Sequence, residues 1–277
     1  MVNTFFISDT HWGHNNILTF KRADGNPLRV FNSIEDHDEY IIEQWNKTVR
    51  PQDHIYHLGD VAINRKSIGS LTSSMEKFCD TLETLDPTQK EEIFVILKRL
   101  FGNLFDEINP TIDRELLKKN VSKKYIDKDD KFLAFFNDVT LNLVKTHPLK
   151  IEKNRILPIL SRLNGHKRLV RGNHDIFKTA DYLQYFEEIY GVRVIDKIIF
   201  SHIPIHEDSL GRFRACCHGH LHSNLVMKDG QIDTRYINVS CEQLDNYTPI
   251  SLEELNKRIP VSEDDFRKSL KDNKDVE

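Results

Sequence analysis

Thr4-Phe5-Phe6-Ile7-Ser8-Asp9-Thr10-His11 runs through four β-branched or aromatic residues and ends on a carboxylate and an imidazole two positions apart. A short apolar run closed by polar residues is the signature of a strand. The arrangement returns four times. The run at His54 to Leu58 leads into Gly59-Asp60, and Arg168 to Val170 into Arg171-Gly172-Asn173-His174-Asp175; Lys197 to Phe200 leads into Ser201-His202, and Arg214 to Cys217 into Gly219-His220-Leu221-His222. A sixth run spans Arg235 to Val239. Carboxylates and imidazoles gathered at strand ends are oxygen and nitrogen ligands for divalent metals.

Between the first two runs, Ser33 to Thr48 reads as a helix. Ser33 is its N-cap, Asp36 stands three residues on, and Ile34, Tyr40, Ile41 and Trp45 form much of its apolar face. Strands alternating with helices indicate an α/β fold. The rhythm breaks over residues 66–151, where helical periodicity appears at Met75 to Leu85, Thr88 to Phe105 and Phe132 to Val144 without a convincing strand. We expect a core made of residues 1–65 and 152–260, a helical insertion or cap at 66–151, and a charged, fraying tail at 261–277. The insertion has two readings, extra scaffold and a cap that restricts substrates. Arg155 to Leu163 is expected as a short helix despite Pro158, and Asn164-Gly165 as the turn into the third strand.

A length of 277 residues is ample for a buried core. No apolar run approaches the roughly 20 residues of a membrane-spanning helix, and the start lacks the regions of a signal peptide, so a cytoplasmic location is expected, that of a host cell if the chain is phage-encoded. Cys79, Cys216, Cys217 and Cys241 show no CxxC spacing and read as buried thiols. A net charge of −4 speaks against a surface that binds nucleic acid throughout, although a local basic groove would not register in that sum. Lys118, Lys119, Lys123 and Lys124 form such a cluster, a composition more often simply solvated.

Asp9 and His11, if the backbone there stays extended, point the same way and offer half of one metal shell; alone the pair is weak evidence for a metal, and Asp9 then reads as a helix or turn cap. Gly59 lets the chain turn tightly before Asp60. Asn173 offers a neutral amide oxygen, and His174 beside it reads as an imidazole whose second ring proton goes to Asp175. His202, His220 and His222 add three more imidazoles beyond strands. His14 and Asn15 share the His11 loop, where contact with phosphate and a purely structural role both remain open; Arg171 suits phosphate or a local carboxylate. His206 and Arg212 are further candidates for the rim of the site.

In the order DxH, GD, GNHD, H and GHxH, these blocks resemble the calcineurin-like metallophosphoesterase superfamily. His11-Trp12-Gly13-His14-Asn15-Asn16-Ile17, Tyr56-His57-Leu58-Gly59-Asp60 and Leu163-Asn164-Gly165 are similar to a small stand-alone bacterial and bacteriophage branch of it. The resemblance leaves out the helical insertion. It implies a four-layer α/β/β/α sandwich and two divalent ions, manganese first, with iron, zinc, nickel or cobalt as alternatives. One ion would be held by Asp9, His11, Asp60 and His222, and the other by Asp60, Asn173, His202 and His220, with Asp60 bridging. The implied reaction is hydrolysis of a phosphodiester or phosphomonoester by a hydroxide bridging the two ions. His174 would assist the leaving oxygen, with Asp175 holding its ring. Nucleotide-type substrates are favoured; a nuclease acting on DNA or RNA and an interaction protein that binds a partner through the insertion are the alternatives. Nothing in the sequence speaks to oligomeric state.

Overall fold

β1 (Thr4–Ile7), β2 (His54–His57), β3 (His166–Val170) and β4 (Glu188–Tyr190) pair in parallel, with Phe6 opposite Tyr56 and Tyr56 opposite Arg168. The structure, a computed structural model, describes residues 2–62, 153 and 156–266. A second sheet follows in the chain. β5 (Val192–Ile195) runs antiparallel to β6 (Ile198–Ser201), which pairs in parallel with β7 (Ala215–His218). After the hairpin β8 (Met227–Lys228) and β9 (Gln231–Ile232), β10 (Tyr236–Asn238) joins β7 in parallel. β11 (Ile250–Ser251) returns to the first sheet, antiparallel to β1. The strand orders are therefore β11-β1-β2-β3-β4 and β10-β7-β6-β5 in a mixed α/β fold.

Apolar side chains join the two sheets. Phe6 of β1 stacks on Phe200 of β6 with ring centroids 4.3 Å apart, and both are fully buried. Where the strands end, Ser8 bridges to Ser240, with Ser8 N–H on Val239 O at 2.9 Å and Cys241 N–H on Ser8 O at 3.1 Å. The exits of β1 and β10 are thus locked side by side.

α1 (Ile34–Thr48) starts where the sequence predicts, with the Ser33 hydroxyl accepting the Asp36 N–H at 3.0 Å. It buries Ile34, Ile41, Ile42 and Trp45, each contributing about 1.5–3 kcal/mol where burial is complete. Trp45 also packs on Trp12 and His57, and its indole N–H donates to Asn164 O at 2.9 Å. The helix therefore braces the loop after β1 and the turn before β3. The segment expected as a helix from Arg155 is a 3-10 helix, Leu157–Arg162. Two short helices follow, α2 (Thr179–Tyr182) and α3 (Leu252–Arg258).

The chain divides into two compact units, Met1–Arg65 with Leu157–Glu277, and Lys66–Ile156. The three helices expected between Met75 and Val144, the lysine cluster and Cys79 lie outside the described residues, as does most of the expected tail. Cys216, Cys217 and Cys241 are buried free thiols. Among the described residues, no helix is long and apolar enough to cross a membrane.

Candidate metal centre

Parallel strands deliver side chains to a common edge, their carboxyl ends, which is where open α/β sheets bind ligands. β1 delivers Asp9 and His11, β2 Asp60, β3 Asn173 to Asp175, β6 His202, and β7 His220 and His222. Among the described residues, two groups able to hold a metal ion result, Asp9 with His11 and His222, and Asp60 with His202 and His220; within each, ligand atoms lie within 4.8 Å of one another.

Each aspartate uses one oxygen to hold the protein and turns the other inward. Asp9 Oδ2 accepts the His220 N–H and the Ser240 hydroxyl, both at 2.9 Å. Asp9 Oδ1 is buried without a hydrogen-bond partner, 3.8 Å from His11 Nε2 and 3.9 Å from His222 Nε2. Asp60 Oδ1 accepts the His174 N–H at 2.8 Å. Asp60 Oδ2 lies 3.8 Å from His11 Nε2 and 3.3 Å from His202 Nε2, so one oxygen faces both groups. Asn173 Oδ1 stands 2.9 Å from both His202 Nε2 and His220 Nδ1.

Two of the imidazoles, His202 and His222, are oriented from behind. His202 Nδ1 donates to Leu58 O at 2.8 Å, which turns Nε2 toward Asp60 Oδ2 and Asn173 Oδ1. His222 Nδ1 lies 3.1 Å from Glu242 Oε1, leaving Nε2 toward Asp9. His57 joins the first two loops: its Nδ1 accepts the Gly59 N–H, and its Nε2 pairs with the Thr10 hydroxyl at 2.9 Å. Burial would raise Asp9, yet His11, His202 and His222 hold it well below the usual carboxylate range. Burial would also lower His202, but Asp60 and Asp9 beside it push it up to about 9. Buried carboxylate oxygens with uncommitted lone pairs and imidazole nitrogens, that of His202 once its proton is displaced, make a donor set that fits a divalent cation.

The backbone departs from the expected extended form. Asp9 and His11 have φ of 58° and 51°, so they converge through two left-handed residues and not through strand alternation. Asp60, His220 and His222 share this conformation at 55°, 68° and 49°. Half of the ten described non-glycine residues with positive φ therefore belong to this cluster, and such strain concentrates at functional sites. Gly59, at φ 98°, is required for a further reason: a Cβ there would sit 2.6 Å from Gly172 backbone atoms and His202 Nδ1.

Two sequence expectations need correction. Asp175 is not the ring partner of His174. It is buried, its Oδ2 accepts the Asp60 and Gly172 N–H groups at 3.1 and 2.7 Å, and its Oδ1 accepts the Val61 N–H at 2.9 Å and the Tyr182 hydroxyl at 3.3 Å. Burial pushes it up to about 6 against the pull of those amides. Arg171 does not reach out for phosphate. Its guanidinium donates to the carbonyls of Asp175 and Phe177 and to the Thr179 hydroxyl, clasping its own loop.

His174 is half-buried, its ring 6.1 Å from that of His11. His14 is buried beside His11 at 5.7 Å, and burial first, then the neighbouring imidazoles, lowers it to about 3. Asn15 is exposed on the following 3-10 helix. His206 is exposed and caps the 3-10 helix Glu207–Arg212, which ends at exposed Arg212. Sequence reading misses Glu242 and Arg29. Glu242 follows the sixth apolar run, so the strand-end rule that finds the candidate ligands would have found it; Arg29 carries no local signal.

No family model matches the chain. Over 65 residues it is 34% identical to an uncharacterized protein of Methanocaldococcus jannaschii, which is 24% of this chain; the match spans about a third, 34%, of that relative's length. A crystal structure of a protein of unknown function from Aquifex aeolicus aligns with 94% of this chain and 100% of its own at a TM-score of 0.46 and 20% identity.

Proposed function

We propose that the chain is a binuclear metal-dependent phosphoric ester hydrolase of the calcineurin-like metallophosphoesterase type, its two sheets being the inner layers of an α/β/β/α sandwich. The observation that carries this reading is Asp60 Oδ2, set between His11 Nε2 at 3.8 Å and His202 Nε2 at 3.3 Å, because a carboxylate shared by two ligand groups is what two adjacent cations need. Asp9, His11, Asp60 and His222 would hold one ion, and Asp60, Asn173, His202 and His220 the other. Two divalent ions, manganese first, would supply a nucleophilic hydroxide near neutral pH and offset phosphate charge.

The remaining chemistry belongs to side chains. His174 stands beside the cluster with its ring outside the tight ligand groups, so it is suited to protonate a leaving oxygen. Its backbone N–H on Asp60 Oδ1 ties its position to that of the bridging carboxylate. The substrate class is a phosphodiester or other phosphate ester, nucleotide-type compounds first. Purified protein with manganese should cleave bis-p-nitrophenyl phosphate, and Asp60→Ala and His220→Ala should each abolish turnover. Wild-type rates in both variants would overturn the reading.

A further inference from the structure

Behind the Asp9, His11 and His222 group lies a chain of polar side chains, buried at Arg29, Glu242 and His37 and reaching the surface only at Asp38. Arg29 and Glu242 have fully buried side chains, with Arg29 Nε 2.7 Å from Glu242 Oε1. The same Oε1 stands 3.1 Å from His222 Nδ1, while Oε2 has no hydrogen-bond partner. One oxygen therefore serves both the guanidinium and the imidazole. Arg29 also donates to the carbonyls of Asp9 and Thr10, and through Nη1 to His37 Nε2 at 2.8 Å. His37 Nδ1 then reaches Asp38 Oδ1 at 2.8 Å, and Asp38 Oδ2 accepts the Gly13 N–H at 2.9 Å. The loop that bears Asp9 and His11 is thus held at its start by Arg29 and near its end by Asp38, while the loop that bears His222 is held by Glu242.

We propose that Arg29 and Glu242 are positioning residues that preset one half of the metal centre: Glu242 keeps His222 with its proton on Nδ1 and its Nε2 lone pair toward Asp9 Oδ1, and Arg29 fixes the Asp9 to His11 loop against the same oxygen. The inference rests on the metal reading above. It has a physical warrant of its own. A ring nitrogen faces a metal reproducibly only when the opposite nitrogen has a fixed acceptor, and loss of such an acceptor weakens metal binding by about 10- to 100-fold. A buried ion pair kept merely for stability is replaceable, because an apolar pair of similar volume is often neutral or better. The contacts from Arg29 to two ligand-loop carbonyls, and from Glu242 to a ligand, give this pair a task that an apolar pair cannot perform.

The test is a manganese titration with a competing chelator on the full chain, together with nitrogen-15 ring spectra of the metal-free protein at pH 9. In the wild type, two ions bind and His222 is in its Nδ1–H form. The double variant Arg29→Met/Glu242→Met, which leaves the buried Asp9 and Thr10 carbonyls without their donor, should fold with a lowered melting temperature, lose about 10- to 100-fold in affinity for one ion, hold the other within about threefold, and scramble the His222 tautomer. Glu242→Gln keeps an acceptor oxygen with no net charge; it should retain the tautomer and recover part of the affinity, and it serves if the double variant fails to fold. Unchanged affinities and tautomer in both variants would overturn the proposal. A wild-type protein that takes up no manganese overturns the metal reading instead, and the tautomer comparison then still decides whether Glu242 orients His222.

Discussion

Asp175 Oδ2 accepts the backbone N–H of Asp60 at 3.1 Å, so the last residue of the Gly172 to Asp175 block holds the aspartate of the Gly59-Asp60 block and not the imidazole beside it. The connection is reciprocal, because Asp60 Oδ1 accepts the N–H of His174. Two loops from adjacent strands are clasped together by their own carboxylates, and the placement of Asp60 Oδ2 between His11 and His202 follows from that clasp.

Replacing Asp175 by Asn breaks the clasp chemically while preserving its shape. An amide offers an acceptor on one side only, so its NH2 group faces at least one of the N–H donors of Asp60, Gly172 and Val61. Leaving a buried donor unpaired costs about 1–3 kcal/mol. D175N should therefore unfold at lower temperature and bind manganese more weakly, because Asp60 is displaced. Calorimetry and a metal titration check this; a variant matching the wild type in both would show that the clasp is dispensable.

His174 gives the opposite pattern. Its side chain holds no ligand in place, and it stands outside the two metal-ligand groups. H174A should retain two metal equivalents by elemental analysis yet lose about 10²- to 10⁴-fold in turnover, the range of a general acid. The loss should shrink on esters with good leaving groups, which need no proton. Loss of metal from H174A would refute the assignment.

A third expectation concerns pH. In the absence of metal, burial would lower His202, but Asp60 and Asp9 raise it from 6.5 to about 9. A raised imidazole pKa means that folding binds a proton. The stabilisation is complete below pH 6.5 and is lost as pH rises through about 9. Metal-free protein should lose melting temperature across that window, and His202→Gln should flatten the slope. A cation must displace the same proton, so manganese affinity should rise over the same window. A melting temperature independent of pH in chelator, with no difference between wild type and H202Q, would contradict this.

The parts legible in the sequence were those with a period. β1 and β2 are short apolar runs with polar stops, and α1 combines a serine cap with spaced Ile34, Ile41 and Trp45. The candidate ligands that the fold brings together were legible for a related reason, since each lies in the loop after such a run. β8, β9 and β11 have two residues each, too few for any period, and exist through their partners. β5 escapes because its apolar residues Val192 and Val194 are 48% and 45% exposed, the reverse of a core-facing pattern. The left-handed backbone at Asp9, His11, Asp60, His220 and His222 escapes too, because it arises from loops packed against one another and not from local preference.

That backbone supports a last prediction. His220 has φ of 68°, a conformation that costs a residue with a side chain roughly 1–2 kcal/mol and glycine almost nothing. His220→Ala and His220→Gly both remove the imidazole and its 2.9 Å contact with Asn173 Oδ1, so both should lose metal at that group. They differ only in strain. Glycine gives back part of the gain through a more flexible unfolded chain, and H220G should still be more stable than H220A by about 1 kcal/mol in denaturant titrations of metal-free protein. If H220A equals or exceeds H220G, the ligand loops carry no stored strain at this position, and the left-handed geometry is an incidental feature of the turn.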